Sequence, residues 1–121
     1  MPHLRLEYSS NLQGKVEFKR LFSECHEVLV KTINADLFRC QSRAIPCEEF
    51  YIGEGLSNES FVYMELIVMQ GRTMAQLHQV GKELLKVLEH HFSDAIADLN
   101  AQISVRVIEF SNDHYSKLEL R

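Results

Sequence analysis

The chain has 121 residues, of which 45% are hydrophobic and 25% charged, and it carries a formal charge of −4. That length suits a single domain (1–121) with its own core. No Lys/Arg cluster offers a face to nucleic acid, no apolar run approaches the roughly 18 residues that span a bilayer, and the opening stretch lacks the pattern of a secretory signal. Nucleic acid and membrane are therefore not expected partners, whereas a small anion held by one or two arginines is.

The elements read as follows in chain order. Leu4, Leu6 and Tyr8 alternate with His3, Arg5 and Glu7, which describes a half-buried strand starting beside Pro2. Ser9-Ser10-Asn11 breaks it. From about Gln13 to Ile33, Phe18, Leu21, Phe22, Cys25, Val28, Leu29 and Thr32 recur at helical spacing, with Lys and Glu on the wet side. Phe38 to Ile45 reads as a strand with polar interruptions. Pro46 removes a ladder donor and puts that strand at an edge or a bend. Gly53 to Ser60 is a turn-rich loop.

Phe61 to Met69 is the strongest strand, apolar on both faces, so both faces are expected to be covered. Thr73 and Gln76 fit a capping box. A second helix runs from there to about Asn100, with Leu77, Gly81, Leu84, Leu85, Leu88, Phe92, Ile96 and Leu99 as its buried stripe. Gln102 to Phe110 forms the last main strand. In the tail, Leu118 and Leu120 fit a short further strand.

The order is β-α-β-β-α-β, in two halves (about 1–52 and 60–110) followed by a C-terminal tail. Parallel flanking strands with right-handed crossovers place both helices on one face of a four-stranded α+β sheet. No helix remains for the other face, yet the third strand is apolar there too. The patterning alone thus implies oligomerisation through the open face.

Cys25, Cys40 and Cys47 form an odd set without a secretory signal, which points to reduced thiols in the cytoplasm. Cys40 and Cys47 read as small apolar residues of a strand and its edge, and their spacing is not that of a metal site. His90-His91 is taken as a favourable interaction with a helix C-terminus. His26, His78 and His114 have no partners at ligand spacing, and His3 is assigned to packing against a neighbouring subunit. Glu48 and Glu49 are adjacent on an extended segment and point to opposite faces. No metal is expected.

Pro2 is the candidate for chemistry, although many chains begin Met-Pro for no catalytic reason. A small penultimate residue favours removal of Met1, which leaves a free secondary amine at the start of the first strand. An ordinary α-amino group has a pKa of about 7.7–8.0. A prolyl amine is more basic, but burial and nearby cations lower it. Such a base can take a proton from an enol or carbon acid and return it elsewhere.

Four segments then resemble, in order and spacing, the 5-carboxymethyl-2-hydroxymuconate isomerase family of the tautomerase superfamily. They are the opening Pro2-His3 strand through Glu7 and Ser9, Gln41-Ser42-Arg43, Phe61 to Met64, and Gly71-Arg72-Thr73 through Gly81 to His91-Phe92. The resemblance spans nearly the whole chain. It implies a tautomerase-like fold, a homotrimer, no cofactor, Pro2 as catalytic base, and a role in bacterial breakdown of homoprotocatechuate. It also implies that Arg43 and Arg72 hold carboxylates of an unsaturated 2-hydroxy acid. Where the family tends to read Arg-Ser-Arg, this chain has Gln41. That residue can donate one hydrogen bond but brings no charge. The departure leaves open a phenylpyruvate-like enol as substrate. A non-catalytic reading also stands, since ferredoxin-like domains that bind small ligands or oligomerise share the element order.

Overall fold

In the computed structural model, which describes residues 1–120, four strands form one sheet in the order β2-β1-β3-β4. These are β1 (His3–Ser9), β2 (Gln41–Cys47), β3 (Glu59–Met69) and β4 (Asn100–Phe110). β1 and β2 are parallel, as are β3 and β4, while β1 and β3 meet antiparallel in the centre. The helices α1 (Phe18–Ile33) and α2 (Met74–Ile96) connect the parallel pairs. This is the expected architecture.

Alternation sorts the two faces. Leu4, Leu6 and Tyr8 of β1 and Val62, Met64, Leu66 and Val68 of β3 point into the helix layer and are buried. Each helix answers with a row of residues four apart: Leu21, Cys25, Leu29 and Ile33 on α1, and Val80, Leu84, Leu88 and Phe92 on α2. Burying each of these larger side chains contributes about 1.5–3 kcal/mol. Cys25 sits deep enough that its thiol pKa is pushed up to about 12, so it packs as a small apolar group. On α2 the buried row is centred on Val80 rather than on Leu77 and Gly81, and Leu85 is exposed.

Three boundaries differ from the sequence expectation, each for a local reason. α1 begins at Phe18, not near Gln13, because Gly14 turns the chain with φ of 80° and the Glu17 side chain caps Lys19 N–H. α2 stops at Ile96 rather than Asn100, where Ala97 takes a φ of 46°. Phe38 and Arg39 are not in a strand. The Asp36 carboxylate accepts from Phe38 N–H at 3.1 Å and folds Leu37–Arg39 into a short 3-10 turn, so β2 starts at Gln41. As an edge strand, β2 tolerates Pro46 within it. The capping box forms as expected, with Thr73 Oγ1 accepting from Gln76 N–H and the Gln76 side chain accepting from Thr73 N–H.

The two halves repeat one joint. Gln41 N–H donates to the Pro2 carbonyl at 3.1 Å where β2 joins β1, and Asn100 N–H donates to the Asn58 carbonyl at 2.8 Å where β4 joins β3. His3 pairs with Gln41 just as Glu59 pairs with Asn100.

The second face of β3, carrying Phe61, Tyr63, Glu65, Ile67 and Met69, is only half buried; among the described residues no helix lies over it, and Phe50 packs edge-on against Phe61 at 6.2 Å. Among the described residues, no helix is long and apolar enough to cross a membrane. The tail forms no further strand among the described residues. A 3-10 turn over Asn112–His114 redirects it, Leu118 and Leu120 stay exposed, and Lys117 and Glu119 come back to the start of the chain.

Candidate active site

Pro2 is buried at the N-terminal end of β1, one of the two central strands. The antiparallel register sets His3 opposite Ile67, so this strand end lies beside the end of β3. The terminal amine of Met1 donates to the Arg39 carbonyl at 3.2 Å. Its pKa is lowered, first by burial and then by the charges of Lys117 and Arg39, against the opposing influence of Cys40 and Glu119. An amine at this end of the strand is therefore easier to deprotonate than one in open water.

Gln41 and Arg43 lie on β2, on the open sheet face and both exposed. Arg43 Nη1 donates to His3 Nδ1 at 3.2 Å. Burial and the Arg43 charge lower the His3 pKa, which keeps that nitrogen an acceptor. His3 thus orients Arg43 within the chain. The register continues Arg43 into a row across the open face: Arg5 beside Arg43, Glu65 beside Arg5, and Arg106 beside Glu65. Tyr63 O–H donates to Glu65 at 2.7 Å in the same region.

Arg72 occupies the turn after β3, at the same end of the sheet as Pro2. Its Nε donates to the Ile33 carbonyl at 3.3 Å, and Nη1 makes a longer contact of 3.5 Å to the Met69 carbonyl. A cation here also suits the negative end of α1. Other donors of the guanidinium remain for a ligand. Arg72 lines a cavity of about 320 Å³ with Ile33, Asn34, Gln70, Gly71 and Gln76. Arg72→Ala should lower stability by about 1–2 kcal/mol through these bonds to carbonyls, read as a shift of the urea unfolding midpoint. An unchanged midpoint would show that the arginine does not tie α1 to β3.

The four expected site residues thus surround one strand end on different layers. Pro2 faces the helix side, Gln41 and Arg43 line the open face, and Arg72 closes the end.

His91 and His26 hold elements together. His91 Nε2 meets Glu24 at 2.8 Å and joins the two helices from within α2, not at its end. His26 shares a 2.6 Å hydrogen bond with Ser42, pinning α1 to β2. The residue that sequence reading missed is Arg39. Its guanidinium pairs with Asp36 and reaches Glu119 through Nε at 3.2 Å and Nη2 at 3.4 Å. Its place two residues before Gln41 was the only available signal.

Comparison with known proteins supplies the context for this geometry. A structure of a 5-carboxymethyl-2-hydroxymuconate isomerase from Deinococcus radiodurans R1 superposes with a TM-score of 0.88 at 26% identity, covering 98% of this chain and 90% of that one. A 5-carboxymethyl-2-hydroxymuconate delta-isomerase superposes at 0.82 with 16% identity, over 98% and 89% of the two chains. A fused 4-OT wild type symmetric trimer gives 0.71 at 14% identity, over 90% and 85%. Comparison with curated protein sequences finds no match. The model of the 5-carboxymethyl-2-hydroxymuconate isomerase family matches residues 2–119. With the family model spanning all but the extreme ends, the chain belongs to the 5-carboxymethyl-2-hydroxymuconate isomerase family, within the tautomerase superfamily.

Proposed function

We propose that this isomerase ketonises an unsaturated 2-hydroxy carboxylic acid like 5-carboxymethyl-2-hydroxymuconate, without a cofactor, using the Pro2 nitrogen as base. The observation that carries the reading is the buried Pro2 at the start of a central strand, one residue from the Met1 amine, whose own pKa is lowered by burial and then by Lys117 and Arg39. Once Met1 is removed, the ring nitrogen holds a lone pair. It accepts the 2-hydroxyl proton, the oxygen becomes a carbonyl, the double bonds shift along the diene, and a proton is delivered to the distant carbon. No electrons enter or leave. Arg43 and Arg72 hold carboxylates and stabilise the oxygen as negative charge develops, and Gln41 donates one hydrogen bond.

We also infer a homotrimer. The half-buried face of β3 calls for cover, and a solved structural relative is a symmetric trimer.

A kinetic comparison tests the substrate class. On protein whose N-terminus is verified as proline, kcat/KM for a dienol with two or more carboxylates should exceed that for a monocarboxylate enol by about 10–100-fold, the worth of one or two charge-assisted bonds. Equal turnover would move the reading to a phenylpyruvate-like enol. Absence of turnover with every dienol would end the isomerase reading.

A further inference from the structure

We propose that Arg39 and Lys117 form a carboxylate-binding pair beside the catalytic amine, and that Glu119 fills it as an internal stand-in which the substrate carboxylate displaces. The inference rests on Pro2 being the base, and it specifies how a substrate anion reaches it in a chain with Gln41 in place of an arginine.

The geometry is that of an occupied anion site. Both oxygens of Glu119 face the Arg39 fork, at 3.2 and 3.4 Å, and Lys117 Nζ lies 3.0 Å from one of them. Among the described residues, two cations thus converge on this carboxylate, the arginine in the side-by-side manner in which it grips a planar acid. Asp36 holds the guanidinium from its other side. The carboxylate responds strongly, with a pKa drawn down to about 2.

The backbone places this cluster at the reaction centre. The Arg39 carbonyl accepts from the Met1 amine, Gln41 N–H bonds the Pro2 carbonyl, and Lys117, Arg39 and Glu119 act on the charge of the Met1 amine, so the cluster lies one residue from the nitrogen that becomes terminal once Met1 is removed. Side-chain exposures of 43% for Arg39, 33% for Glu119 and 32% for Lys117 leave the pair within reach of a solute. Glu119 lies on a tail outside every helix and strand, so it can leave without breaking the sheet. Pairs exposed to this degree are worth little. An incoming acid with a second carboxylate held elsewhere can therefore compete with Glu119.

The test uses the full chain with proline verified at its N-terminus. Glu119→Gln keeps a polar group of the same size but removes the competing charge. Its KM for the dienol should fall about five-fold, with the change in KM rather than kcat. Its acid limb in the kcat/KM profile should move to lower pH, because an anion that raises the amine pKa is gone. Arg39→Ala should raise KM at least ten-fold, and Arg39→Lys should recover part of the loss. A tail that merely tethers would predict the opposite for Glu119→Gln, an unchanged or higher KM.

Calorimetric binding of glutarate, an unreactive dicarboxylate, reads the pair without turnover. It should tighten in Glu119→Gln and weaken in Arg39→Ala. If activity depends on Pro2 yet neither KM nor glutarate affinity moves in these variants, the pair is refuted and the proline reading survives. If glutarate responds as expected while Pro2→Ala leaves turnover intact, the site stands and the base assignment falls.

Discussion

Leaving Met1 in place should lower kcat for dienol ketonisation by about 10²–10⁴-fold, the usual contribution of a positioned general base. An acylated proline nitrogen is a tertiary amide whose lone pair is delocalised into the carbonyl, and it cannot accept a proton. Pro2→Ala with Met1 removed should fall between this form and the native one, because a primary amine remains but its position is less fixed. The pH profile carries the sign. The amine works as a base only when neutral, so activity is present above its pKa and lost as pH falls through it. Burial, Lys117 and Arg39 lower the pKa of the Met1 amine, and the same surroundings acting on the freed Pro2 nitrogen should make the loss begin at lower pH than for a prolyl amine in water. Stopped-flow absorbance of the dienol on both N-terminal forms decides the matter. Equal rates for the acylated and free forms would remove Pro2 from the mechanism.

Phe92→Ala is expected to cost about 3–5 kcal/mol of folding stability, a large part of the roughly 5–15 kcal/mol of a typical domain. Phe92 is fully buried on α2 and its ring lies 6.3 Å from Phe18, which in turn meets Tyr8 at a tilt, 5.3 Å away, and stacks on Phe22 at 5.9 Å. Removing it opens a cavity between both helices and the first strand. Surrounding groups cannot close it without moving a helix. Urea unfolding followed by far-UV circular dichroism should show the midpoint drop with the slope preserved. A cost below about 1 kcal/mol would mean that the helices are not clamped through this ring.

What could be read in the residues was whatever short-range periodicity encodes. Leu4, Leu6 and Tyr8 announce β1 by alternation, and Thr73 with Gln76 announces the start of α2 through a hydrogen-bond pattern three residues long. The open face of β3 was legible because Phe61, Tyr63, Ile67 and Met69 exceed what one chain covers. Features that depend on distant partners were not legible. Arg39 gains its meaning from Glu119, eighty positions away. Arg72 meets backbone carbonyls of Ile33 and Met69, and carbonyls carry no sequence signature. The Phe38 turn was hidden for another reason. A single Asp36 side-chain bond overrode a segment whose composition suits a strand.

The repeated joint at the two strand starts has a consequence for stoichiometry. Asn58 holds in the second half the place that Pro2 holds in the first, down to the carbonyl that receives the next strand. The two joints thus repeat, but the proposed chemistry does not. The Asn58 nitrogen is committed to a peptide bond on both sides of any processing event, and resonance with the Ser57 carbonyl takes away its basicity. If Pro2 is the base proposed above, a fold that offers two equivalent cradles loads only one of them, and an assembly of such chains would hold one reactive nitrogen per polypeptide.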